Sequence, residues 1–201
     1  MRRVLVIAAL AEILAACASP APTREVIPTR ASDFRPSQIR QPVVFAQLRL
    51  DGQYSDEERT SMAQEFEGVL LEELNARAVL AKEVRVAIGD ARRDPGPALA
   101  RARELGADHA ILVDVRVSRG PQVFCQNTRR RFQATVTQWG QSAEVVRASD
   151  GTVRFRIVPD SMLPVLDLDA DCDNPRDSRH LTTTEAFAEV VKRLVTRLLA
   201  A

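Results

Sequence analysis

Hydrophobic positions recur along this chain with two periods, and the order of the periods outlines a fold. From Val43 to Leu50, Val44, Ala46, Leu48 and Leu50 share one parity, while Val43 and Phe45 take the other. A run apolar on both faces at its start predicts an interior strand. Asp51-Gly52 ends it. Ser55 with Glu58 three residues on forms a capping box. The helix it opens is expected to reach about Ala78, with Met62, Phe66, Val69, Leu70 and Leu74 in one buried stripe. Glu57, Arg59, Gln64, Glu67 and Glu72 fall on the solvated face. Val84, Val86 and Ile88 then alternate with Arg85 and Ala87, a second strand. Asp94-Pro95-Gly96-Pro97 turns into a shorter helix, Ala98 to Leu105, and Gly106 fits the position after a helix where a left-handed conformation suits glycine. A third strand follows from Ala107 to Val117, with Ile111, Val113, Val115 and Val117 on one face. The order so far is βαβαβ.

The pattern then changes. Ser118 to Thr128 reads as a loop. Phe132, Ala134 and Val136 alternate with Gln133, Thr135 and Thr137, Trp139-Gly140 marks a bulge or bend, and Glu144 to Arg147 continues the strand. Asp150-Gly151 is the strongest hairpin signal in the chain, with Val153, Phe155 and Ile157 on the return strand. A two-residue turn there would set Arg147 opposite Arg154, a mildly unfavourable pair that implies a face open to water or to an anionic partner. Residues 159–180 form a polar loop. The last helix, about Thr182 to Leu199, carries Phe187, Val190, Val191, Leu194, Val195 and Leu198 at helical spacing. The predicted fold class is α/β: a βαβαβ start, an antiparallel hairpin and a C-terminal helix, giving a mixed sheet covered by helices in a single domain over residues 42–201.

The N-terminal pattern is of another kind. Arg2 and Arg3 precede an apolar run from Val4 to Ala16, and small residues lead into Cys17. That order is a secretory signal peptide, here residues 1–16. The run is too short to span a bilayer core, which needs about 20 apolar residues. Leu14-Ala15-Ala16-Cys17 resembles the bacterial lipobox, where cleavage precedes the cysteine and the cysteine takes acyl chains; Glu12 inside the apolar run departs from the usual pattern. The resemblance implies lipidation at Cys17, and Ala18 in place of the aspartate typical of inner-membrane retention implies the periplasmic face of the outer membrane. Several acyl chains hold a protein firmly, at about 0.8 kcal/mol per buried CH₂. Residues 17–41 hold Pro20, Pro22, Pro28 and Pro36 and show no apolar period, so they read as the lipidated cysteine and a disordered tether. Docking of Phe34 and Ile39 on the domain edge is the alternative for its last residues.

The whole chain carries a formal net charge of +1, and loss of residues 1–16 removes two basic residues and one acidic residue. A mature chain near neutrality lacks the basic excess of a nucleic-acid binder. Cys125 and Cys172 remain as a pair. An oxidising compartment favours a disulfide between them, two separate thiols being the alternative. The bridge would close a loop of roughly 47 residues, worth about 4 kcal/mol in the chain-entropy treatment.

Candidate chemistry is sparse. Asp167, Asp169, Asp171 and Asp173 recur at every second residue, as at the start of a calcium loop. Counting from Asp169, however, the sixth position is Asn174 rather than glycine and the twelfth is His180 rather than glutamate, so the EF-hand template fails. His109 and His180 have no metal-ligand spacing to other donors. No nucleophile elbow, phosphate loop or dinucleotide fingerprint occurs. No cofactor, metal or catalytic residue is therefore expected. Arg129-Arg130-Arg131 opens a strand, and with Arg147 and Arg154 it could form a positive face for a carboxylate-rich partner or glycan.

Two phrases, Leu105-Gly106-Ala107-Asp108-His109-Ala110-Ile111-Leu112 and Arg147-Ala148-Ser149-Asp150-Gly151-Thr152-Val153, resemble phrases in small bacterial lipoprotein domains. These include curli-secretion lipoproteins, lipoprotein activators of penicillin-binding proteins, and the amino-terminal domain of the Tol-Pal translocation protein. The resemblance spans roughly residues 42–158 and implies helices on a mixed sheet. It also implies a membrane-anchored, non-catalytic accessory that docks onto another envelope protein. A small-ligand or glycan-binding lipoprotein accessory to a transporter is the second expectation.

Overall fold

The computed structural model describes residues 30–52, 54–89, 94–125, 128–158, 168–169 and 171–200. Cys17, the signal stretch and Asp167 lie outside them. The principal sheet has five strands in the order β2-β1-β3-β4-β5. They are β1 (Val43–Asp51), β2 (Glu83–Ile88), β3 (His109–Cys125), β4 (Arg130–Arg147) and β5 (Val153–Ile157). β1 runs parallel to both β2 and β3, and β4 runs antiparallel to β3 and β5. The helices are α1 (Asp56–Ala76), α2 (Gly96–Glu104) and α3 (Thr183–Leu199). The α/β class, the mixed sheet and the C-terminal helix follow the sequence pattern.

The lateral progress across the sheet reverses after β2. The first crossover moves outward from β1 to β2, and the second moves back past β1 to β3. Right-handed crossovers then require the two helices to lie on opposite faces. The core divides accordingly. Val44, Ala46, Leu48 and Leu50 of β1 and Ile111, Val113, Val115 and Val117 of β3 pack with Phe66, Leu70 and Leu74 of α1 and Phe187, Val190, Val191 and Leu194 of α3. The opposite parity, Val43, Ala110, Leu112 and Val146, packs with Ala98 and Ala102 of α2. Alanines let the short α2 approach the sheet closely. Two capping boxes open the long helices: Ser55 with Glu58, and Thr182 with Glu185. In the latter, Thr182 is the cap and not the first helical residue.

Four expectations are corrected. Residues 30–41 do not behave as a tether: Phe34 is 0 % and Ile39 3 % exposed. Ala31 N–H donates to the carbonyl of Arg154 (2.8 Å), and Leu80 N–H donates to that of Arg40 (3.1 Å). The segment is a strap across the edge of the domain, and burial of its two large apolar side chains offsets the entropy of ordering it. Residues 118–125, read as loop, are strand: β3 continues to Cys125, paired with Arg130. The register shift lies at Gly120/Gln122, opposite Val136 and Gln133, and pairing is continuous across the expected Trp139-Gly140 site, which faces Val117 and Arg116. Finally, the β4–β5 turn is wider than two residues. Arg147 N–H donates to Thr152 O and Gly151 N–H to Arg147 O, both at 2.9 Å. Gly151 takes φ +74°, which glycine adopts freely. Arg147 therefore faces Thr152, and a bulge between Val145 and Val146 displaces Arg154 from the pairing.

Candidate functional site

Two features project from this frame, at opposite ends of β4. The first is an arm. Beyond Ser118, the last β3 residue paired with β1, β3 and β4 pair among the described residues only with each other, out to Cys125 and Arg130. At about 3.3 Å per residue the ribbon extends roughly 20 Å. Its far end is stapled by the Cys125–Cys172 disulfide, with Cα atoms 5.8 Å apart. Cys172 belongs to a segment that also carries the two-residue strands β6 (Leu168–Asp169) and β7 (Arg179–His180). Val123 and Cys125 are buried. Arg129, in a left-handed conformation at φ +53°, and Arg130 and Arg131 are exposed at the tip. The Arg131 guanidinium lies 5.5 Å from the centroid of the Phe124 ring, a cation–π contact.

The second feature is a cleft of about 820 Å³ beside the N-terminal ends of β1 and β3, where the strap, the turn after α2 and the β4–β5 turn meet. Arg40, Arg103, His109, Arg147 and Arg154 line it, with Asp108 as the acidic member. His109 is 9 % exposed, and its ring meets the Phe34 ring edge-on at 6.3 Å. Phe34 also stacks on Phe155 at 5.9 Å. Burial pushes the His109 imidazole pKa down; Asp108 opposes this and Arg147 and Arg154 add to it. Arg154 forms an ion pair with Asp33 of the strap. Arg147 reaches Asp150 at 2.9 Å and Asp33 at 3.9 Å. The Arg154 hydrogen bond holds the Asp33 carboxyl below its usual range. The Asp150 carboxyl is pulled down to about 2, first by hydrogen bonds from Thr152 and then by Arg147. Arg103 Nε donates to the Ala148 carbonyl at 2.6 Å, tying α2 to the turn.

The expected single positive face of Arg129, Arg130, Arg131, Arg147 and Arg154 is thus not formed. Arg130 and Arg147 are the first and last residues of an 18-residue strand, roughly 55 Å apart along it. The two arginines at the turn end are instead neutralised in part by Asp33 and Asp150. Composition could not show this, because Asp33 lies in the segment read as tether. Phe34 was the available signal: a large aromatic in an otherwise polar, proline-rich stretch. Of the alternating aspartates, Asp171 uses its carboxylate locally, accepting the backbone N–H groups of Asp173 (2.9 Å) and Asn174 (2.8 Å). No helix among the described residues is long and apolar enough to cross a membrane.

No protein-family model and no curated protein matches the chain. Among solved structures, a PelC dodecamer from Paraburkholderia phytofirmans aligns over 81 % of this chain and 90 % of that chain, at 14 % identity and a TM-score of 0.41. A putative neuraminyllactose-binding hemagglutinin homolog from Helicobacter pylori aligns over 80 % and 87 %, at 8 % identity and a TM-score of 0.38. A hypothetical protein from Chlamydia trachomatis aligns over 80 % and 99 %, at 14 % identity and a TM-score of 0.31. At such similarity no residue role transfers from them.

Proposed function

We propose that this chain is an envelope lipoprotein, anchored through Cys17 to the periplasmic face of the outer membrane, which acts without catalysis as a docking or accessory subunit of an envelope protein assembly. The observation that carries the docking part is the disulfide-stapled β3–β4 arm with Arg129, Arg130 and Arg131 exposed at its tip. A covalent clip pre-orders the ribbon, so ordering it does not have to be charged against binding. Arginine suits recognition of carboxylates because its planar fork bonds them in a bidentate way. The partner surface is accordingly acidic. Export is supported by the Cys125–Cys172 bridge, a bond that persists in oxidising compartments, and by Leu14-Ala15-Ala16-Cys17. The short phrases shared with envelope lipoprotein domains agree with this reading.

Photo-crosslinking in cells tests the docking role. A benzophenone amino acid replaces Arg130 at the arm tip or, as a control, Thr60 on the exposed face of α1. The expected result is one dominant protein adduct from position 130 and none from position 60, with loss of that adduct when Arg129 and Arg131 are both changed to Glu. Equal or absent adducts at the two positions would reject docking through the arm.

A further inference from the structure

We propose that the cleft between the strap, the turn after α2 and the β4–β5 turn binds a small ligand through an oxyanion group, a carboxylate or phosphate, held by Arg40, Arg103 and His109. This is independent of docking by the arm, which lies at the other end of β4.

The assignment follows from which donors are already committed. Arg154 is taken by Asp33, and Arg147 is shared between Asp150 and Asp33. Arg103 spends its Nε on Ala148, leaving its terminal nitrogens. Among the described residues, Arg40 makes a backbone contact through its carbonyl, and its guanidinium has no ion-pair or hydrogen-bond partner. Two guanidinium groups at one cleft thus retain free donors. Ser37 and Ser149 add hydroxyls to the same walls.

The independent pointer is His109. It is 9 % exposed, lines the cleft, and its imidazole makes no hydrogen bond within the described residues. Its ring nitrogens keep contact with solvent, so they stand open to a group entering the cleft. Phe34 packs against the ring and satisfies neither nitrogen. An oxyanion in the cleft would accept from the imidazole and from the two free guanidinium groups together. A volume of about 820 Å³ suits a sugar acid or a phosphate-bearing group of similar size. The charged groups lining the cleft with His109 are Asp108 beside it, Arg40 on the strap, Arg103 on α2, and Arg147 and Arg154 at the β4–β5 turn; Asp33 and Asp150 pair with the last two. Without a bound anion, burial favours neutral imidazole. A bound anion favours imidazolium, so binding tightens as pH falls.

Calorimetric titration of the purified exported protein tests this, with inorganic phosphate and glucuronate as separate probes. Glucuronate is also titrated at pH 7.5 and 5.5, where its carboxylate stays ionised. We expect a Kd of about 1 mM or tighter for at least one probe, and the probe that binds identifies which oxyanion the cleft takes. Arg40→Gln should weaken binding about tenfold or more, since charge-assisted hydrogen bonds are the strong ones. His109→Gln should remove the tightening at pH 5.5. Arg131→Gln, at the arm tip, should leave both affinities unchanged. Unfolding midpoints establish that each variant is folded. Absence of heat with both probes at tens of millimolar, or an Arg40→Gln variant that binds like the parent, would overturn the proposal. An Arg131→Gln effect equal to that of Arg40→Gln would also overturn it, because it would reduce binding to overall charge.

Discussion

Phe34→Ala measures what the strap contributes. The ring is 0 % exposed, stacks on Phe155 and meets His109 edge-on. Truncating a buried phenylalanine to alanine costs about 3–5 kcal/mol, from lost transfer energy and the cavity left behind. The position sets an upper limit. The strap is peripheral, so a strap weakened far enough detaches, and the loss cannot exceed its whole docking energy. Its remaining attachments include Ile39 in the core, the backbone bonds from Ala31 and Leu80, and the ion pairs of Asp33 with Arg154 and Arg147. The expected loss is therefore at the lower end, about 3 kcal/mol. With a urea slope of about 2 kcal/mol/M, the unfolding midpoint falls by about 1.5 M. Leu80→Ala is the internal control: that side chain is 56 % exposed, and its removal should change stability by less than about 0.5 kcal/mol. Urea unfolding followed by circular dichroism reads both. A Phe34→Ala midpoint as close to the parent as that of Leu80→Ala would show that the strap is not part of the cooperative unit, and residues 30–41 would revert to tether.

Three further outcomes are expected. Replacing Cys125 and Cys172 together by alanine should cost about 4 kcal/mol and lower the melting temperature by roughly 8–16 °C; calorimetry showing no change would mean the arm is held without its staple. The His109 pKa is lower folded than unfolded, so its contribution is fully present above the unfolded value near 6.5 and is lost as pH falls below it. Stability should thus decline from pH 7 toward 5 and decline less in His109→Gln, whereas the depressed Asp150 value acts only as pH falls from about 4 toward 2. Identical pH profiles in urea unfolding would exclude the histidine as the cause. Cys17→Ser should release the exported protein from membranes, as read by cell fractionation, and a variant still in the membrane fraction would reject the lipid anchor.

How much was legible in the sequence differs by element, and the reason is range. β1, α1, β2, α2, β3 and α3 were recognisable because each writes its own periodicity: alternating parity on a pleat, or a stripe at helical spacing beside a capping box. The pairing of Cys125 with Cys172 needed only a count of cysteines and an expected compartment. The sequence also carried Leu14-Ala15-Ala16-Cys17, on which the anchoring proposal rests, although that stretch lies outside the described residues. Tertiary structure decided whatever depends on contact between distant segments. Residues 118–125 show no hydrophobic alternation because, among the described residues, they pair only with β4 in a ribbon, and a disulfide holds its end. The strap lacks periodicity because its regular structure is a single 3-10 turn, Pro36–Gln38; two buried side chains, Phe34 and Ile39, dock it. The positive face failed for the same reason. Adjacent arginines on β4 and β5 were visible, but Asp33, which neutralises them, arrives from more than 100 residues away, and the length of β4 carries the arm-tip arginines far from the turn. The cleft arises where three such distant segments meet, so its donors, Arg40, Arg103 and His109, share no local motif.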